Sequence, residues 1–187
     1  MSAHSIAAGT AISGGNANGV NNKHNVFVYG SLLADDVVRV LLHRVPQNSP
    51  AVLHGYHRFS VKGRVYPAIL PVENKKVTGR VFLDITPPEL DILDKFEDFE
   101  YEKRLVDVTL LQDTTDFLNA YTYVWVNRDD PDLYGEWDFE AWKESKMKDF
   151  LNMTVEFVEE QELPESKPRV ATYESYYKHD DGKNLSS

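Results

Sequence analysis

Leu93-Asp94-Lys95-Phe96-Glu97-Asp98-Phe99-Glu100-Tyr101-Glu102-Lys103-Arg104 closes a helix and runs directly into a strand. The helix is announced upstream by Thr86-Pro87-Pro88-Glu89. Thr86 can accept a hydrogen bond from the third helical amide, and Glu89 can reach back to Thr86. Proline in the first turn lacks only an N–H that the helix would not use. An α-helix advances by about 100° per residue. With Leu90 at zero, Leu93, Phe96 and Ile92 fall at about 300°, 240° and 200°, and Glu97 falls at about 340°, between Leu90 and Leu93. Asp91, Asp94 and Asp98 fall at about 100°, 40° and 80°, towards the other side. Among these acids Glu97 is the one most surrounded by hydrocarbon. Desolvation raises a carboxyl's pKa towards neutrality and makes its anion a better proton acceptor. The plainer alternative is a Glu97 that reaches solvent or pairs with Lys103 or Arg104, since perturbed acids are often structural ion pairs.

Far upstream, Asn25-Val26-Phe27-Val28-Tyr29-Gly30-Ser31-Leu32 reads as a buried strand that breaks into a tight turn. Backbone amides released from a strand at such a break can bind a carboxylate or steady an oxyanion. Gly30 permits close approach or a positive φ. A purely structural turn is the competing reading. Beyond it, Asp35 and Asp36 open a helix through Val37, Val38, Val40, Leu41 and Leu42, which Pro46 stops. Strands are expected over Ala51–Val61, Ala68–Val72 and Val77–Ile85, punctuated by glycine and proline. Leu105–Leu111 and Tyr121–Val126 are expected to form a hairpin, and Asp138–Glu160 a largely helical stretch, ended by Pro164 and Pro168. Strands that outnumber helices without alternating with them give an α+β fold with a mixed or closing sheet.

Composition narrows the function. The 187 residues suit one domain, expected over residues 25–178, and 42% are hydrophobic, enough for a sizeable core. With 20 Lys+Arg against 30 Asp+Glu the formal net charge is -10, which disfavours nucleic acid and anionic lipid as partners. There is no cysteine, so thiol nucleophiles, disulfides and cysteine metal sites are excluded, and a reducing compartment such as the cytoplasm fits. Residues 1–24 and 179–187 are expected to be disordered tails, and residues 1–24 lack the continuous apolar run of a signal peptide. No segment approaches the roughly 20 apolar residues of a membrane span. The histidines show no metal-like grouping. Ser31 has no evident His and acid partners for a triad, and no phosphate-cradling glycine loop is present. Tyr29, Tyr66, Tyr101 and Tyr123 could line a cavity or be ordinary strand packing.

Taken in order, Tyr29-Gly30-Ser31-Leu32 after an N-terminal strand, Tyr66-Pro67-Ala68 in the middle, and Leu93-Asp94-Lys95-Phe96-Glu97-Asp98 followed by Tyr101 and Arg104 resemble γ-glutamylcyclotransferase-like proteins, in particular the plant avirulence-induced-gene-like (AIG2-like) branch. The similarity spans about residues 25–160 and leaves the N-terminal tail outside. The resemblance implies a β-barrel-like mixed sheet flanked by helices and a cavity in which a glycine-containing loop holds the substrate. Carried over by motif, Tyr29, Gly30, Ser31, Leu32, Leu33 and Ala34 would be that loop, Glu97 the catalytic acid, and Tyr101 and Tyr123 wall residues. The implied reaction releases 5-oxoproline and a free amine or amino acid from a small γ-glutamyl compound, with no metal or organic cofactor. A non-catalytic, stress-linked binding module on the same fold is the alternative, and amide hydrolysis a third reading. The leaving group, set by loops at the mouth such as 127–136 and the C-terminal segment, and the oligomeric state stay open.

Overall fold

The computed structural model describes residues 22–162 and 169–183, with side chains as far as residue 178. The first strand, β1 (His24–Val28), is short and buried through Val26, Phe27 and Val28. It pairs antiparallel with β3 (Ala68–Ile85) on one side and parallel with β5 (Phe117–Trp125) on the other. β5 pairs antiparallel with β4 (Tyr101–Leu110), β4 with β2 (Asn48–Val61), and β2 with β3. That last pairing closes the ring, so five strands form a barrel in the order β3, β1, β5, β4, β2. A two-residue strand, β6 (Leu133–Tyr134), adds to the far end of β2. The fold is therefore α+β with a closed mixed sheet, as the pattern of strands and helices predicts.

A strand inside a closed ring needs tight approaches. A Cβ built on Gly79 of β3 would stand 2.2 Å from the Val28 carbonyl oxygen, so only glycine lets β3 pass β1 here. The parallel contact between β1 and β5 carries its own fastening. Thr122, fully buried, donates its hydroxyl to the Phe27 carbonyl at 3.0 Å.

Helix α1 (Asp35–Leu42) buries Val37, Val38, Leu41 and Leu42 and packs against α4 (Met147–Gln161). α2 (Pro87–Glu97) begins at the expected capping box: the Glu89 amide donates to the Thr86 hydroxyl and the Thr86 amide donates to the Glu89 carboxylate. Leu90, Leu93 and Phe96 are its buried face. The stretch expected as one helix over Asp138–Glu160 is two, α3 (Phe139–Ser145) and α4 (Met147–Gln161), with non-helical backbone at Lys146 (φ -125, ψ -22) between them.

Three further differences from the sequence expectations have local causes. Ala68–Val72 and Val77–Ile85 belong to one strand. β2 runs alongside both halves, and the residues between the pairs Tyr56↔Pro71 and His54↔Lys76 bulge outwards, with Asn74 at φ 64. Pro71 and the polar run after it look like turn signals, but cross-strand pairing overrides them. A fifth helix, α5 (Arg169–Lys183), has no counterpart in the sequence pattern and takes in part of the expected C-terminal tail. His24, the last residue of the expected N-terminal tail, opens β1. Residues 22 and 23 of that tail are exposed and in neither helix nor strand, and the parts of the two expected tails over residues 1–21 and 184–187 lie outside the described residues. Among the described residues no helix is long and apolar enough to cross a membrane.

Candidate active site

β1 ends at Val28, Tyr29 and Gly30 follow it, and a single 3-10 turn (Ser31–Leu33) carries the chain into α1. The Leu33 amide donates to the Gly30 carbonyl and the Ala34 amide to the Ser31 carbonyl. These two amides are consumed by the turn. Those of Gly30, Ser31 and Leu32 find no backbone partner among the described residues. Gly30 lies at φ -126, so its role is close approach, not a left-handed backbone: a Cβ would sit 2.9 Å from the Pro67 ring. Two cations fix the turn from outside. Arg58 donates to the Tyr29 carbonyl at 2.8 Å, and Arg80 donates to the Leu32 carbonyl and to Asp35, each at 2.7 Å.

The turn faces a narrow cavity of about 430 Å³ of empty space, counted out to its open mouth. Tyr29, Gly30, Ser31 and Leu32 line one side, and Glu97, Tyr101 and Tyr123 line the rest of the polar wall. Leu33 and Ala34 do not line it. Their amides are used within the turn and they lead away into α1. Tyr66 and Pro67, from the connection between β2 and β3, also line the cavity, as do Phe96, Phe150 of α4 and Arg169 of α5. Residues 127–136, expected at the mouth, contribute nothing to the lining, whereas the C-terminal segment does so through Arg169.

The tyrosines are held by hydrogen bonds directed away from the acid. Tyr29 donates its hydroxyl to the Tyr123 carbonyl at 2.5 Å and Tyr101 to the Pro67 carbonyl at 2.6 Å. Tyr123 donates to Asp94 at 2.7 Å, whose other carboxylate oxygen accepts from Lys103 at 2.8 Å. Burial pushes the protons of Tyr29, Tyr101 and Tyr123 to higher pKa, and the nearby Glu97 charge adds to each. All three are therefore neutral hydroxyls at any ordinary pH.

Glu97 is different. No hydrogen bond to its carboxyl oxygens is seen among the described residues. The partners considered from the sequence are engaged elsewhere, Lys103 with Asp94 and Arg104 with Glu102. As a residue it keeps some accessible surface, as a group lining an open-mouthed cavity does, yet loss of hydration dominates its titration. Burial lifts its pKa from 4.5 to about 7, against the opposing field of Arg169 and with smaller help from Glu100 and Asp94. The next residue, Asp98, has φ 61 and ψ -160, a backbone state that side chains rarely adopt. Its own carboxylate accepts from the Phe99 amide at 2.8 Å and from the Val170 amide at 3.3 Å.

No motif or spacing in the sequence points to Arg169. Only 2% of it is exposed. Its Nε donates to the Phe96 carbonyl at 2.6 Å, and its Nη2 donates to the Glu97 carbonyl at 3.2 Å and to Glu100 at 3.3 Å. The guanidinium lies over the Tyr66 ring, 4.5 Å from the centroid. Burial alone would loosen its proton, but the surrounding Tyr66, Tyr101 and Glu100 more than offset that, so it stays charged. A cavity with a neutral hydroxyl wall, one proton-accepting acid and a row of free amides suits proton transfer on a small anionic substrate.

A model of the family described as gamma-glutamyl cyclotransferase, AIG2-like, matches residues 26–139. The chain belongs to this family. It is 56% identical to AIG2-like protein D of Arabidopsis thaliana, over 80% of this chain and 98% of that protein. It is 52% identical to AIG2-like protein C of the same plant, over 88% and 96%. The solution structure of At5g39720.1 from Arabidopsis thaliana superposes with a TM-score of 0.58 at 41% identity, covering 76% of this chain and 95% of the other. The segment matched by the AIG2-like family contains the turn, Tyr66 and Pro67, Glu97, Tyr101 and Tyr123. It ends before α4 and α5, and so excludes Arg169.

Proposed function

We propose that this protein is a γ-glutamylcyclotransferase in which Glu97 is the general base. The observation that carries this reading is a carboxyl without hydrogen-bond partners, tuned to about 7, that shares one cavity with the free amides of Gly30, Ser31 and Leu32. Membership of the gamma-glutamyl cyclotransferase, AIG2-like family supports the substrate class.

The chemistry needs few parts. A γ-glutamyl compound already carries its nucleophile, the α-amine, tethered to the carbonyl it attacks. The protein has only to fold the substrate and hold it, which supplies the entropic part of the rate enhancement. Ionised Glu97 takes a proton from the α-ammonium. The freed amine adds to the γ-carbonyl, and the C–N bond of the resulting lactam forms. Collapse of the tetrahedral adduct breaks the original amide bond: the proton held by Glu97 passes to the leaving nitrogen, and the second proton of the attacking nitrogen leaves through the re-ionised Glu97 to the released amine, which departs as an ammonium. The products are 5-oxoproline and an amine or amino acid, with no water consumed. The turn amides stabilise anionic oxygen of the substrate, and the tyrosine wall excludes water from the acid without contributing a competing charge.

The test is a panel of γ-glutamyl amino acids, γ-glutamyl amines and glutathione, with release of 5-oxoproline followed by mass. Product from at least one member, lost in Glu97→Gln, is expected. Glutamate in place of the lactam would mean hydrolysis. Tight binding with no product would make the protein a binding module.

A further inference from the structure

We propose that Arg169 is the positioning residue for Glu97, and that α5 acts on the chemistry through it. The inference rests on the reading of Glu97 as the proton acceptor, and it concerns a helix outside the segment that the family match covers.

The geometry is a clasp. A helix ends with carbonyls that have no partner inside the helix. α2 ends at Glu97, and Arg169 takes the carbonyls of Phe96 and Glu97 with two of its nitrogens. The nitrogen that takes the Glu97 carbonyl, Nη2, also donates to the Glu100 carboxylate, and the guanidinium stacks on Tyr66. One residue later in α5, the Val170 amide holds the Asp98 carboxylate. Both contacts bear on Phe96, Glu97 and Asp98, the end of α2 and the residue at which the backbone leaves helical geometry, Asp98 having φ 61. A backbone that sharp persists only where its surroundings over-determine it. The direction in which Glu97 points is set at this place. A planar fork that meets carbonyls and a carboxylate together is a property of arginine that lysine does not reproduce.

Arg169 acts on Glu97 in a second way, through its field. The groups facing the acid are Asp94 of α2, Glu100 of the following turn, Tyr29 just after β1, Tyr66 of the β2–β3 connection, Tyr101 of β4, Tyr123 of β5 and Arg169 of α5. Arg169 is the cation in this set. It keeps the acid ionisable near neutrality despite burial and two neighbouring carboxylates. The clasp therefore links the angle of the base and its proton affinity to the docking of one helix.

The experiment uses the full chain with carboxyl-labelled glutamate, the Glu97 resonance being assigned by its loss in Glu97→Gln. Arg169→Met, where it folds, should raise the Glu97 titration midpoint by about one unit. Arg169→Lys restores the charge and should return the midpoint to within about half a unit of wild type, while exchange of the Asp98 and Phe99 amides accelerates about tenfold. In the 5-oxoproline assay kcat should fall in both variants with KM nearly unchanged, and the pH profile should move only in Arg169→Met. A folded Arg169→Met protein with the wild-type midpoint would overturn the proposal. If that variant does not fold, Arg169→Lys decides: wild-type exchange at Asp98 and Phe99 overturns it and faster exchange supports it. A wild-type protein that releases no 5-oxoproline would remove the functional reading, and the titration and exchange results would still judge the clasp.

Discussion

Glu97 and Glu100 stand one turn apart at the same bend, and both are largely withdrawn from water. Glu100 accepts from the Tyr66 hydroxyl at 2.5 Å, from Arg64 at 3.2 Å and from Arg169 at 3.3 Å. Glu97 accepts from none of the described side chains. Burial is thus common to both, and partnering separates them. A carboxylate saturated with donors is part of the scaffold. One left without donors has its proton affinity set by burial, and it remains free to exchange a proton with a ligand.

The sharpest way to break this comparison is to neutralise each acid in turn. Glu97→Gln should reduce 5-oxoproline release by about 10³-fold, the loss expected of a general base, while the protein melts no lower than wild type. Glu100→Gln should do the reverse. It strands Arg169 as a buried charge short of its counter-ion and should lower stability to denaturant by about 3 kcal/mol, with folded protein retaining measurable turnover. If both substitutions act alike on stability and rate, the distinction between scaffold and reagent is void.

A pH series sharpens the contrast further. A group with pKa about 7 when folded and 4.5 as its ordinary value binds more protons in the native state between those values. Stability then falls as pH rises through that window, by up to about 3 kcal/mol. Glu97→Gln removes this dependence, so the gap in melting temperature between variant and wild type should widen from pH 4.5 to pH 8. Turnover should run in the opposite sense, rising as pH passes about 7 and the base ionises. The smallest effect belongs to a partly exposed ion pair beside Glu97 on α2. Lys103 and Asp94 pair at 2.8 Å with about a third of each side chain exposed, and Lys103→Met should change stability by less than about 1 kcal/mol.

What could be read from the chain divides along local and non-local lines. The capping box, the apolar face of α2 and the place of Glu97 on it depend on residues three and four apart, and the structure reproduces them. The turn after Tyr29 is equally local. The motif runs on without a break through Leu33 and Ala34, but only its first part faces the cavity. β3 was divided because Pro71 and the polar residues after it signal a turn when β2 is not in view. Arg169 left no trace in the pattern: α5 is polar and weakly amphipathic, and what makes its arginine important is a set of carbonyls some seventy residues away. Lys103, read as a partner for Glu97, is a neighbour in sequence that chose Asp94.

β1, β5 and β4 stand side by side in a ring without ends, and they deliver Tyr29, Tyr123 and Tyr101 to the cavity. Staves of a closed hoop cannot be spread singly, because shifting one drags its neighbours. The opposite wall, made by Phe150 and Arg169, is borne on helices that answer to no such hoop. Divergence among relatives in the bulk they admit should therefore accumulate on the helical side, while the tyrosine side keeps its shape.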